Sequence, residues 1–208
     1  GHGECAGLDC LASVHADGDH RRADLGRHGH IAARAHRANG QLEDIDLDFI
    51  HQTRFSFPAT VELDCTPDQL FDIFEDPHSW TVWAGAITNV EWTSPKPFGV
   101  GTTRTVTMSG GMIGVEEFIA WKRGERMAFK FTQCNKSMIT AFGEDYVVTD
   151  LGNGRCRLQW TMAMQPRGAS KVFMSGFKPV MGWFVQRLAN NLAKYVASNA
   201  PQAAPEAS

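Results

Sequence analysis

The chain has 208 residues, 43% of them hydrophobic, with a net charge of −3. That is enough for one domain with a real core, or two small ones. The balance provides no basic stripe of the kind a phosphate backbone requires, so it argues against nucleic acid and against an electrostatic membrane anchor.

Residues 1–51 are Ala-, His-, Arg- and Gly-rich and contain seven of the eight histidines. Large apolar side chains are sparse there, and so little buried surface does not offset the entropy of ordering a chain. The segment is expected to be an extension outside the core fold. His28-Gly29-His30 with His36 is its only metal-like grouping. No carboxylate or thiol ligand stands at a helical spacing beside it, so no metal site and no cofactor are expected.

A folded domain is expected over residues 52–198. Residues 53–64 alternate, with Phe55, Phe57, Ala59, Val61 and Leu63 on one face. Pro58 removes a ladder donor, so this strand should lie at an edge or carry a bulge. Thr66-Pro67-Asp68-Gln69 has the chemistry of a capped helix start. Leu70, Phe71, Ile73 and Phe74 give that helix its apolar face, and Pro77 ends it. A second short helix over His78–Trp83 places Trp80 and Trp83 one turn apart.

Short strands follow: Ile87–Thr93, Gly101–Ser109, Met112–Trp121, Met127–Gln133, Ile139–Thr149 and Arg155–Met164. Gly110-Gly111 and Gly152-Asn153-Gly154 are the turns between them. The last strand alternates most cleanly, with Cys156, Leu158, Trp160, Met162 and Met164 on one face. A long helix from Ser170 to Ser198 repeats Phe173, Phe177, Val180, Phe184, Leu188, Leu192 and Tyr195 at three- and four-residue spacing. Pro179 should kink it. Residues 199–208 read as a disordered tail.

The five cysteines form no CxxC pair and are odd in number, which points to a reducing cytoplasm rather than to disulfides. No apolar run is long enough for a membrane span, and the chain does not open like a signal peptide. Integral membrane association is therefore not expected.

This order of elements resembles the START-like superfamily, SRPBCC, and within it the polyketide cyclase/dehydrase and lipid-transport branch. The likeness covers roughly residues 53–196. It is carried by Asp76-Pro77 followed by Trp80 and Trp83, by Gly101-Thr102, and by Glu116-Glu117 with Trp121 and Glu125-Arg126-Met127-Ala128-Phe129. The Phe- and Leu-rich last helix adds to it. The resemblance implies an α+β helix-grip fold: a curved antiparallel sheet of about seven strands wrapped around a long C-terminal helix, with two short helices after strand 1. It also implies a cavity for an apolar ligand.

The expected cavity residues are Trp83 from the short helix; Phe118, Phe129, Phe131, Leu158, Trp160 and Met162 from the strands; and Phe177, Met181 and Phe184 from the last helix. Arg104 shares parity with Val106 and Met108, and Glu116 with Met112 and Phe118, so an inward Arg104–Glu116 pair would orient a ligand. The opposite parity, with Ile113, Val115, Ile119 and Trp121 inward, leaves Glu116 solvated and Glu117 inward. His78 and Tyr146 complete the candidate catalytic groups. No G-x-S-x-G elbow or phosphate loop is present.

Three functions are compatible with this reading. The first is binding or transport of a lipid, a polyketide-like molecule or another apolar ligand. The second is a cyclase, aromatase or dehydratase acting on a polyketide-like substrate. The third is a regulatory interaction protein that displays the last helix, for which an exposed Trp183 would be the mark. A homodimer is among the admissible states.

Overall fold

The structure is a computed structural model, described over residues 40–168 and 170–199. Asn199, expected in the tail, ends the last helix; the rest of the expected tail and the histidine grouping at His28, His30 and His36 lie outside the described residues. Among the described residues eleven elements follow one another: α1 (Leu47–Gln52), β1 (Ser56–Leu63), α2 (Pro67–Glu75), α3 (Pro77–Trp83), β2 (Ile87–Trp92), β3 (Thr103–Met108), β4 (Met112–Lys122), β5 (Arg126–Cys134), β6 (Ile139–Gly152), β7 (Arg155–Pro166) and α4 (Ser170–Asn199). The strands form one antiparallel sheet in the order β1-β7-β6-β5-β4-β3-β2. With α4 packed on β1 and β7, this is the helix-grip architecture.

Local chemistry accounts for the elements. The Thr66–Gln69 capping box is complete: the Gln69 amide donates to Thr66 Oγ1 at 3.2 Å, and the Thr66 amide donates to Gln69 Oε1 at 2.8 Å. Asp76 caps α3 by accepting from the His78 amide at 2.9 Å. Pro58 sits on β1, an edge strand, where its missing donor removes little. Gly110 and Gly111, at φ 78° and 73°, turn β3 into β4 with backbone angles that side chains disfavour.

The core fills the concave side of the sheet. Phe57, Phe71, Phe74, Trp80, Tyr146 and Leu192 are among its buried members. The buried residues of α4 all lie in its second half: Val185, Leu188, Ala189, Leu192 and Val196. At 30 residues the helix is about 45 Å long, whereas the eight-residue β1 beside it spans about 26 Å. Its first half therefore overhangs, and Val172, Phe173, Phe177, Val180 and Trp183 are exposed.

The outer side of the sheet carries something the sequence reading assigned to the extension. Residues 40–52 run across the strands there. Gln41 bridges to Gln133, the Leu42 amide donates to the Thr132 carbonyl at 3.1 Å, and the Glu43 amide to the Thr140 carbonyl at 2.7 Å. Ile50 of α1 is fully buried. Gly143 makes room for it: a Cβ there would come within 2.8 Å of Ile45 and 3.2 Å of Ile50. His51 Nε2 and the Arg126 guanidinium both bind the buried Asp145, at 2.8 Å. Residues 40–51 thus pack on the domain, and the local signal was the Ile45, Leu47, Phe49, Ile50 cluster behind the N-cap Asp46.

Candidate functional site

Between α3, α4 and the concave face lies a cavity of about 190 Å³. Trp80 and Trp83 line it from α3, Ala84 and Ala86 from the turn that follows, Phe184 and Leu188 from α4, and β2 to β7 supply the rest. Ile87, Met108, Met112 and Phe184 on its wall are half-buried, whereas Trp80, Phe129, Tyr146 and Trp160 are buried. The walls are therefore mostly aromatic and thioether, with charge confined to a few residues.

Those residues are Arg104 on β3, Glu116 on β4 and Glu144 on β6. Arg104 and Glu116 are register partners across β3 and β4, and Arg104 Nε donates to Glu116 Oε2. The parity question is thereby settled: Met112, Glu116 and Phe118 face inward. A register shift between Phe118 and Ala120 then returns Trp121 to the inner side, where it meets Phe71 and Phe118 edge-on. Each of the two alternative parities holds for one part of this strand.

The Arg104 guanidinium is 4.2 Å from the Trp80 ring centre, 5.0 Å from Phe129, and 5.2 Å from both Trp92 and Phe118. Ring faces therefore stand in for part of its lost hydration. Its Nη1 and Nη2 nevertheless have no hydrogen-bond partner among the described residues, and neither does the Trp83 Nε1. A buried unpaired donor costs about 1–3 kcal/mol, more when charged. Burial pushes the Glu116 carboxyl upward, against the pull of Arg104.

Glu144 was missed by the sequence reading, although it stands between Phe142 and Tyr146 at the same parity. Tyr146 Oη donates to its Oε2, and Trp160 Nε1 donates to the same oxygen at 3.1 Å. Burial first, and then repulsion from Glu116, push Glu144 up to about 8, so the acid keeps its proton at neutral pH. The Tyr146 hydroxyl is pushed well above its usual range by its own burial and by Glu144.

The structure brings Trp83, Phe129, Phe131, Trp160, Met162 and Phe184 to the cavity wall, with Arg104, Glu116 and Tyr146 among them. Phe118 and Leu158 are buried in the core beside the cavity rather than on its wall. Met181 packs against the core from the first half of α4, whereas Phe177 is 43% exposed. His78 is exposed and takes no part in the site. Trp80, Met108, Met112 and Phe142 are wall residues that the sequence reading had not assigned to the cavity. No grouping of His, Cys, Asp or Glu suited to a metal ion occurs among the described residues.

A sheet gripping a helix over a cavity with a buried polar end defines a START-like, SRPBCC-type ligand-binding domain. The family model described as polyketide cyclase / dehydrase and lipid transport matches residues 54–197, and the chain belongs to that family. Uncharacterised proteins of Mycobacterium tuberculosis and Mycobacterium bovis are 44% identical over 153 residues, covering 74% of this chain and 91% of theirs. A START superfamily protein from Mycobacterium smegmatis superposes with a TM-score of 0.57 at 14% identity, covering 69% of this chain and 97% of that one. An aromatase/cyclase from Streptomyces superposes with a TM-score of 0.54 at 12% identity, covering 70% and 92%. At such identities the likeness concerns the fold. No helix among the described residues is long and apolar enough to cross a membrane.

Proposed function

We propose that the protein binds a small hydrophobic molecule non-covalently in the cavity and acts as its carrier or receptor. The observation that carries this reading is an apolar-walled space of about 190 Å³ kept open in a core that is otherwise packed. An engineered cavity of about 150 Å³ holds benzene, so this one suits a substituted single ring. A lipid or polyketide-length chain would need the wall formed by α4 to move. A reducing, cytoplasmic setting belongs to the proposal and is supported by the free thiols of Cys65, Cys134 and Cys156.

Native mass spectrometry of gently purified protein, beside a denatured control, tests the reading. An extra mass lost on denaturation is the expected result. Absence of any bound mass, together with failure of aromatic probes to bind, would overturn it.

Two observations keep other readings in play. Arg104 beside an acid that holds its proton at neutral pH is equipment for cyclase or dehydratase chemistry on a carbonyl substrate. Turnover by the purified protein would decide for that. The exposed Trp183, beside Phe177 and Val180 on a helix without any acidic residue, supports a partner-docking role.

A further inference from the structure

The polar end of the cavity is one-sided. Three buried side-chain nitrogens lack a partner among the described residues: Arg104 Nη1, Arg104 Nη2 and Trp83 Nε1. All three are N–H donors, and both residues line the same cavity. Trp80 touches both residues, its ring lying 4.2 Å from the guanidinium and 4.8 Å from the Trp83 ring. One oxygen of each carboxyl is engaged, Glu116 Oε2 by Arg104 Nε and Glu144 Oε2 by Tyr146 and Trp160, whereas the orphaned buried groups are donors alone. A ligand that satisfies these orphaned groups must bring acceptors to them.

Charge narrows the class further. One cation, Arg104, already faces the Glu116 carboxyl, with the Glu144 carboxyl on the same wall. A ligand carboxylate would add another anion to a dry space holding a single cation. Burying it uncompensated is unfavourable, because its hydration is lost without a new partner of opposite charge. A neutral oxygen accepts from the guanidinium without that penalty. The aromatic walls formed by Trp83, Tyr146 and Trp160 favour a flat body behind it.

We infer that the ligand is a flat apolar molecule bearing a neutral carbonyl oxygen, which accepts hydrogen bonds from the Arg104 Nη groups, with the Trp83 indole N–H as the adjoining donor. The inference rests on the cavity being a binding site. It adds what enters and which end leads.

Three probes of nearly equal shape test it by calorimetry on the intact chain: acetophenone, α-methylstyrene and benzoate. The first two differ only in C=O against C=CH2. Acetophenone is expected to bind about tenfold or more tighter than α-methylstyrene, and more tightly than benzoate at pH 7. Trp83→Phe keeps a ring and removes an N–H, so it should lower that preference severalfold. Arg104→Met combined with Glu116→Gln removes the cation without stranding a carboxylate. It should erase the preference while α-methylstyrene still binds. Equal binding of acetophenone and α-methylstyrene to the unaltered protein would overturn the carbonyl inference and leave the cavity reading standing. Benzoate binding tightest would overturn the neutral-oxygen assignment. Binding of none of the three would instead sink the cavity reading itself.

Discussion

At the residue scale the site is governed by how few charges share a dry space. Arg104→Met leaves Glu116 buried without its partner, and breaking a buried pair from one side costs about 3–5 kcal/mol. Adding Glu116→Gln should restore much of that loss, read as recovery of the urea midpoint. Glu144 sets a pH dependence. Its folded pKa of about 8 lies above the usual carboxylate value, so the folded state holds a proton that the unfolded chain releases. That contribution is complete below about pH 4.5 and fades as pH rises toward 8. Glu144→Gln should therefore flatten the stability profile between pH 5 and 8 and raise stability at pH 8, measured by urea unfolding across that range. Gly114 is a quieter constraint. A Cβ there would fall 2.5 Å from the buried Phe131 ring, so Gly114→Ala should destabilise by about 1–3 kcal/mol and distort the cavity wall.

At the element scale the two ends of the domain behave oppositely. α1 has six residues and would not persist alone, yet Ile50 is fully buried on Gly143. Ile50→Ala should cost about 2–5 kcal/mol, visible as a lowered thermal midpoint. The first half of α4 is the reverse case, long in sequence and nearly uncovered. Val172→Ser and Phe173→Ser should change stability by no more than about 0.5 kcal/mol, whereas Leu192→Ala should cost about 2–5 kcal/mol. Amide exchange should likewise be faster before Pro179 than after Val185. If Phe173→Ser proved as costly as Leu192→Ala, the overhang would be covered in solution.

At the scale of the whole molecule, one sheet is buried on both sides by different means. Helices and cavity cover the concave face, and the chain from Gly40 to Gln52 covers part of the outer one. This is why β6 is buried at successive positions from Ala141 to Tyr146, with Glu144 inward and Asp145 outward. Because the cavity lies between sheet and helix, an occupant tightens both. A ligand at a hundred times its Kd should add about 2.7 kcal/mol, seen as a concentration-dependent rise in thermal midpoint.

The sequence by itself determined the order of elements and most of their boundaries, since capping residues, prolines, glycine turns and apolar alternation act within a few residues of one another. β7, the Thr66–Gln69 box and the placement of Trp80 and Trp83 were legible for that reason. Tertiary structure decided what depends on distant partners. A bulge after Phe118 reversed the facing of β4 partway along, which alternation alone does not encode. Glu144 became a protonated acid only because its burial in the fold, with Glu116 nearby, outweighs the hydrogen bonds from Tyr146 and Trp160. Residues 40–52 looked like part of a polar extension because α1 gains its burial from β6 and β7, about a hundred residues further on. Phe177 had the right helical period for the core, but periodicity fixes only which way a side chain points. Whether anything lies there to meet it is set by the length of the neighbouring sheet.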